Sequence, residues 1–452
     1  MKLTLRAFFR RIDVIGEENL PSDGAAIYVA NHPSALMDPL VAAITIKQRI
    51  YFLAGSEWFG KGMKARIFKK HLNMIPVHRP WLAKGKKVSN RDMFDECYKS
   101  LAQGKSVILF PEATSVAVSK IRELKTGAIR IKTGYEEYIN HKEEIPIIPI
   151  GISYSAADKF QSRVVVKIGK PVGFNEDYSS LDLKEAARAK TTEIHKALKE
   201  NIIHIENDEN QHLVRRVNNL LIDSFWKDGD ASYRDTIANF EFIQGVAHAV
   251  EHYETNDSNL FLEMTSRINT YFDSVKSLSI SDVLVSRSNY KRPTVIKFLF
   301  LIIGLPIALV SLILFVLPYQ LTKRIFINKL NPLISPDDET SEGLNTAFTG
   351  TLIFGAGSLI FILWTIILTV VIGLLTASWL GALGTLVLTY PIFRFSLYYA
   401  KHAVRYRDFV RGEKRINKQR EAVEKLRDDR AQIVKDLGKI REEYASQQLE
   451  EV

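Results

Sequence analysis

The sequence predicts an α/β N-terminal domain with a mainly buried sheet flanked by helices, then a helical region, transmembrane helices and a C-terminal amphipathic helix. Three observations carry this. Short β-rich apolar runs alternate with helical stretches over residues 1–175, and strand signals stop after Leu181. Two long stretches, Phe298 to Thr322 and Gly343 to Phe393, contain no charged residue. A length of 452 residues suits about three domains. The apolar fraction of 46% excludes a disordered chain.

The segment MKLTLRAFFRRIDV lacks the apolar core of a signal peptide, because Arg6, Arg10 and Arg11 interrupt it. About the first 290 residues are therefore expected on the cytoplasmic side. Phe8 and Phe9 beside those arginines suit either a headgroup surface or a first helix packed inward. GAAIYVA (24–30), RIYFLAG (49–55), SVILF (106–110), IPIIPIGISY (145–154) and VVVKIG (164–169) read as strands, with helices over 91–103 and 127–138 between them. Residues 176–290 have helical periodicity and no chemical motif. His248 and His252 have helical spacing but no third ligand, so no metal is expected.

A bilayer span needs roughly 20 apolar residues, so 295–400 holds two to three transmembrane or re-entrant helices. Basic collars precede the first apolar run (Arg287, Lys291, Arg292, Lys297) and follow the second, and both favour the cytoplasm. Three full crossings would separate them. A break at Gly304–Pro306 or within Gly373–Gly381 would remove the conflict, and the acidic loop between the runs suits the outer side. In the tail, 401–452, Ile416, Val423, Leu426, Ile433, Leu437, Ile440 and Tyr444 form a short heptad seam with Arg430 in one core slot. The seam fits a dimeric coiled coil, making a homodimer, or a single amphipathic helix.

The net charge of +10 is unevenly placed: residues 1–200 hold 33 Lys/Arg against 22 Asp/Glu, leaving the rest near neutral. Residues 58–91 carry ten Lys/Arg and no acid, a patch that attracts phosphate groups. Nucleic acid is not expected beside membrane spans without a known binding fold. The single Cys97 excludes an intramolecular disulfide framework.

Chemistry is expected at the strand ends. Asn31-His32-Pro33-Ser34-Ala35-Leu36-Met37-Asp38 follows the strand IYVA. Histidine is poised to take a proton near neutral pH, and a carboxylate can fix its tautomer. On one ideal helix His32 and Asp38 would face apart, so pairing requires His32 in the loop, with Pro33 opening the next helix. Phe110-Pro111-Glu112-Ala113-Thr114-Ser115 ends a second strand and presents Glu112 and two hydroxyls to the cleft. Arg79, after Asn73-Met74-Ile75-Pro76-Val77-His78, suits phosphate binding. Ile145 to Gly151 could wall an acyl tunnel or form a buried strand.

In this order and spacing the four blocks, with Gly16-Glu17-Glu18-Asn19-Leu20-Pro21 ahead of them, resemble the glycerolipid acyltransferase superfamily over about residues 8–175. The resemblance implies His32 as general base and Asp38 as its partner. It implies Glu112 as positioning the acceptor, with Thr114 and Ser115 beside it, and Arg79 as binding its phosphate. Five residues lie between His32 and Asp38 where the family usually has four, and FPEATS stands for FPEGTR. With Leu124-Lys125-Thr126-Gly127-Ala128 these changes resemble the glycerol-3-phosphate and dihydroxyacetone-phosphate acyltransferase branch. Lys125 or another basic residue would then replace the arginine lost at Ser115.

The expected function is membrane-bound O-acyl transfer from acyl-CoA or acyl carrier protein, as co-substrate, to a phosphorylated glycerol acceptor, with no metal or organic cofactor. A different lysophospholipid as acceptor, thioester hydrolysis, and a non-catalytic scaffold keeping the fold are the competing readings.

Overall fold

The computed structural model describes residues 2–450 apart from 57–58, 60–61, 63–65, 68, 70, 80–88, 117, 157–158, 175–177, 179, 226–235, 287–294 and 326–340. Much of the basic stretch 58–91, most of the first collar and the acidic loop therefore lie outside the described residues. The chain forms two compact units.

The first unit holds helix α1 (Lys2–Phe8), strands β1 (Arg11–Ile15) and β2 (Ile27–Ala30), helix α2 (Met37–Thr45), and strands β3 (Ile50–Gly55) and β4 (Met74–Val77). It continues through α3 (Arg91–Ala102), β5 (Ser106–Leu109), α4 (Gly127–Tyr138), β6 (Ile147–Tyr154), β7 (Arg163–Ile168) and α5 (Leu183–Lys199). The sheet order is β1-β7-β6-β2-β5-β3-β4. Every pairing is parallel except β6 with β7, which pair antiparallel from Ile150↔Ile168 to Tyr154↔Val164. The loop between β6 and β7 is too short for the helical crossover that a parallel pair needs, so the chain turns back on itself. Strand β1 was not expected from sequence: RIDVI is a half-exposed edge strand whose charged residues hide its apolar period.

Central strands β2 and β5 are buried at every position, as a sheet covered on both faces requires. One core joins Val29, Val107 and Ile147 to Cys97 and Leu101 of α3, Ile131 and Tyr135 of α4, and Ile194 and Leu198 of α5. The domain core thus runs past residue 175 to include α5. Its N-cap Asp182 accepts from the Lys184 and Glu185 N–H groups, both at 2.7 Å. Gly151 is required by close approach, since a Cβ there would sit 1.9 Å from the Asn201 carbonyl oxygen. Ile147, Ile148 and Ile150 are fully buried, so the isoleucine-proline block is a central strand. Leu5, Phe8 and Phe9 are buried too, which settles the first helix as packed inward.

The remaining helices are α6 (Asn210–Phe225), α7 (Thr236–Asn256), α8 (Ser258–Ser277), α9 (Asp282–Val285), α10 (Val295–Ile303), α11 (Leu305–Ile325), α12 (Ser341–Thr376), α13 (Trp379–Lys418) and α14 (Arg420–Glu450). The first nine residues of α7 and the start of α12 to Thr351 group with the first unit; the rest of these helices form the second. Leu305–Ile325, Ile353–Thr376 and Trp379–Lys418 are long and apolar enough to cross a membrane. The expected break points are where the helices stop: Gly304 separates α10 from α11, and Ala377, at φ 47°, turns α12 into α13.

The heptad seam is taken up within the chain. Val423, Leu426, Ile433 and Leu437 are buried, and α14 packs against α6 and α8 of its own unit. The dimeric coiled coil expected from the seam is therefore not its use here: the apolar face already has intramolecular partners.

Candidate active site

The site is built at the ends of β2, β5 and β6. Residues 33–36 form a turn closed by the Met37 N–H on the Ser34 carbonyl at 2.8 Å, with Ala35 in the left-handed region at φ 43°. This places α2 at Met37, so Pro33 does not open the helix as expected: left-handed Ala35 blocks continuous helix from Pro33. The turn swings Asp38, in the first turn of α2, back to His32. Asn31 does not cap the helix; its side chain exchanges two bonds with the Ile152 backbone, 3.0 and 2.7 Å, and so fastens β2 to β6.

His32 Nδ1 lies 2.7 Å from Asp38 Oδ2. The carboxylate accepts, so Nδ1 carries the proton and Nε2 is left as a base. Asp38 is fully buried and also accepts from the Ser34 N–H at 2.8 Å on Oδ2 and the Tyr154 hydroxyl at 2.7 Å on Oδ1. Burial first, then the Asp38 charge, push Tyr154 well above the usual phenol range, so it remains a donor. Phe110 stacks on the imidazole at 4.4 Å between ring centroids.

Each Glu112 oxygen already accepts a hydrogen bond within the protein. Its Oε1 accepts from the His32 N–H at 2.9 Å and its Oε2 from Arg122 Nε at 3.0 Å. Ser115 is committed as well, accepting from the Ala35 N–H at 2.6 Å and donating to the His32 carbonyl at 2.8 Å. Both clasp the His32 loop. Thr114 accepts from Arg122 Nη1 at 2.8 Å, and its carbonyl from Nη2. Ala113 has φ 66°, a left-handed conformation costing an L-residue about 1–2 kcal/mol, which accounts for the glycine in the FPEGTR pattern.

Arg79 follows edge strand β4, three strand spacings, about 14 Å, from β2. Lys125 is held by its N–H on the Pro111 carbonyl at 3.0 Å, while its exposed ammonium lies 3.6 Å from Glu123. Sequence reasoning missed Arg122 and Tyr154. Arg122 is one of many basic residues in loops; Tyr154 has a signal, as a polar-tipped aromatic ending an apolar strand.

The Acyltransferase family model matches residues 11–153. Glycerol-3-phosphate O-acyltransferase 1 of Saccharomyces cerevisiae is 23% identical over 297 residues, covering 63% of this chain. The match spans only 38% of the yeast protein's length. The crystal structure of the 1-acyl-sn-glycerophosphate (LPA) acyltransferase PlsC from Thermotoga maritima has 22% identity and a TM-score of 0.30, covering 43% of this chain and 73% of that one. Residues 11–153 thus match an acyltransferase domain, the part of the chain that the family model covers.

Proposed function

We propose that the protein is a membrane-bound O-acyltransferase that moves a fatty acyl group from an acyl thioester to a hydroxyl of glycerol 3-phosphate or 1-acylglycerol 3-phosphate. Acyl-CoA or acyl carrier protein is the donor, the catalytic domain faces the cytoplasm, and the apolar helices hold it at its lipid. The observation that carries this reading is the buried Tyr154–Asp38–His32 relay, whose geometry leaves His32 Nε2 as a base. The family match and the activity named for the yeast relative support the reaction and the acceptor class.

His32 Nε2 takes the proton of the acceptor hydroxyl as its oxygen attacks the thioester carbonyl. The resulting imidazolium is stabilised by Asp38. Negative charge then gathers on the carbonyl oxygen, where hydrogen-bond donors lower the barrier. Collapse forms the ester and expels the thiolate, which takes the proton back from His32.

The test is acyl transfer from palmitoyl-CoA by the full-length protein with each phosphorylated acceptor. His32→Ala should lower kcat by roughly 10²–10⁴-fold, the range of a lost general base. Transfer at the wild-type rate in that variant sinks the mechanism. Free fatty acid released without acceptor would favour a hydrolase.

A further inference from the structure

We infer that Arg122 holds the phosphate of the acceptor; the inference rests on the proposed phosphorylated glycerol acceptor. A guanidinium carries five N–H groups. Among the described residues, Nε is used on Glu112 Oε2, Nη1 on Thr114 Oγ1 and Nη2 on the Thr114 carbonyl. One N–H on each terminal nitrogen remains, and the side chain is 26% exposed. It is a charged group held rigidly on three sides that still has donors to give.

Its position is tied to the reacting base. Glu112 bridges the His32 N–H and Arg122 Nε through its two oxygens, so the base and the guanidinium share one carboxylate. A lone Glu112 beside the cleft would repel a phosphate. Paired with Arg122 its charge is balanced, and the donors that remain favour an anion. Lys125 does not compete for this place, its ammonium being directed to Glu123 in solvent.

The loop that carries Arg122 is fixed before any ligand arrives. The Ile205 N–H donates to the Ser119 carbonyl at 2.6 Å, and the Ile121 N–H to His204 Nδ1 at 3.2 Å. His204 Nε2 in turn meets Glu206 Oε2 at 2.9 Å. Such pre-ordering lowers the cost of binding. Arg122 thereby supplies the positive charge that FPEATS lacks at Ser115.

The test compares wild type, Arg122→Gln and Arg122→Lys as full-length protein in detergent. Equilibrium binding of glycerol 3-phosphate and 1-oleoylglycerol 3-phosphate is measured, with glycerol as control, followed by KM for each acceptor and for palmitoyl-CoA. Losing one charged donor should weaken the phosphorylated acceptor about 10- to 100-fold and leave the donor KM unchanged. Arg122→Lys should recover part of the loss. A fall in kcat with acceptor binding unchanged would overturn the inference, since Arg122 would then only clasp Glu112. If Arg122→Gln fails to fold, Arg122→Lys decides: intermediate affinity supports the inference and wild-type affinity overturns it. Wild type that binds the phosphorylated acceptor without transferring acyl groups sinks the proposed reaction and leaves the binding comparison intact. Wild type that binds neither phosphorylated acceptor overturns the assignment of Arg122.

Discussion

Asp38 is the residue on which the site's chemistry turns. Two donors besides His32 hold its carboxylate, the Ser34 N–H and the Tyr154 hydroxyl, each within 2.8 Å. Removing the hydroxyl with Tyr154→Phe takes one anchor from the carboxylate that orients His32, so kcat/KM for acyl transfer should fall about 10-fold, the worth of one hydrogen bond to a charged group. An unchanged kcat/KM with merely reduced expression would make Tyr154 a packing residue. Because burial and Asp38 raise Tyr154 well above 10, the phenol stays protonated over the working range and adds no alkaline limb of its own. Tyr154 packs against Phe9, 5.7 Å between ring centroids, so the residue just after α1 supports this relay.

At the scale of elements, what the sequence revealed depended on how local the signal was. His32, Asp38 and Glu112 sit in short motifs at strand ends, where position alone announces them. Arg122 and Tyr154 meet Glu112 and Asp38 across 10 and 116 residues, and only the folded sheet creates the second contact. The α14 seam was legible for the same reason that its partner was not: periodicity reports an apolar face and is silent on what covers it. Arg430 shows the difference. In a coiled coil it would be a costly core residue. Here its Nε meets Asp282 Oδ1 at 2.9 Å, its Nη2 meets the Leu220 carbonyl at 3.2 Å, and Tyr271 donates to the same Asp282 at 2.6 Å. Breaking this pair with Arg430→Met strands a buried carboxylate and should cost on the order of 3–5 kcal/mol. Replacing both partners, Arg430→Met with Asp282→Leu, should restore most of it. Melting of the two variants in detergent checks this; equal losses in both would make packing, not charge, the source of stability.

For the whole molecule the basic collars and the helix breaks point to one topology. The start of α12 to Thr351 groups with the catalytic unit, and within that unit Thr351 donates to the Ser34 carbonyl at 3.4 Å. Helix α12 therefore starts on the catalytic face. Helices α12 and α13 form a hairpin around Ala377, and α13, 40 residues or about 60 Å long, runs on into the basic tail. Two full spans in α12 and α13 would return the tail to the side of the membrane on which α12 begins. For both collars to share one side, the segment Val295–Ile325 would have to leave and return on one face, although Leu305–Ile325 is itself long enough to cross. Both collars then sit on one side, as the positive-inside rule prefers. Cys97 makes the test simple. It is buried, and desolvation with help from Glu96 pushes its thiol up to about 12, so the native protein should stay silent to a membrane-impermeant maleimide. In sealed vesicles with the catalytic domain outward, Lys184→Cys, Lys323→Cys and Lys414→Cys should all react, while Ser378→Cys at the hairpin tip should not. Protection of Lys323→Cys until the vesicles are opened would restore α11 as a full crossing, and would place the tail opposite the catalytic domain.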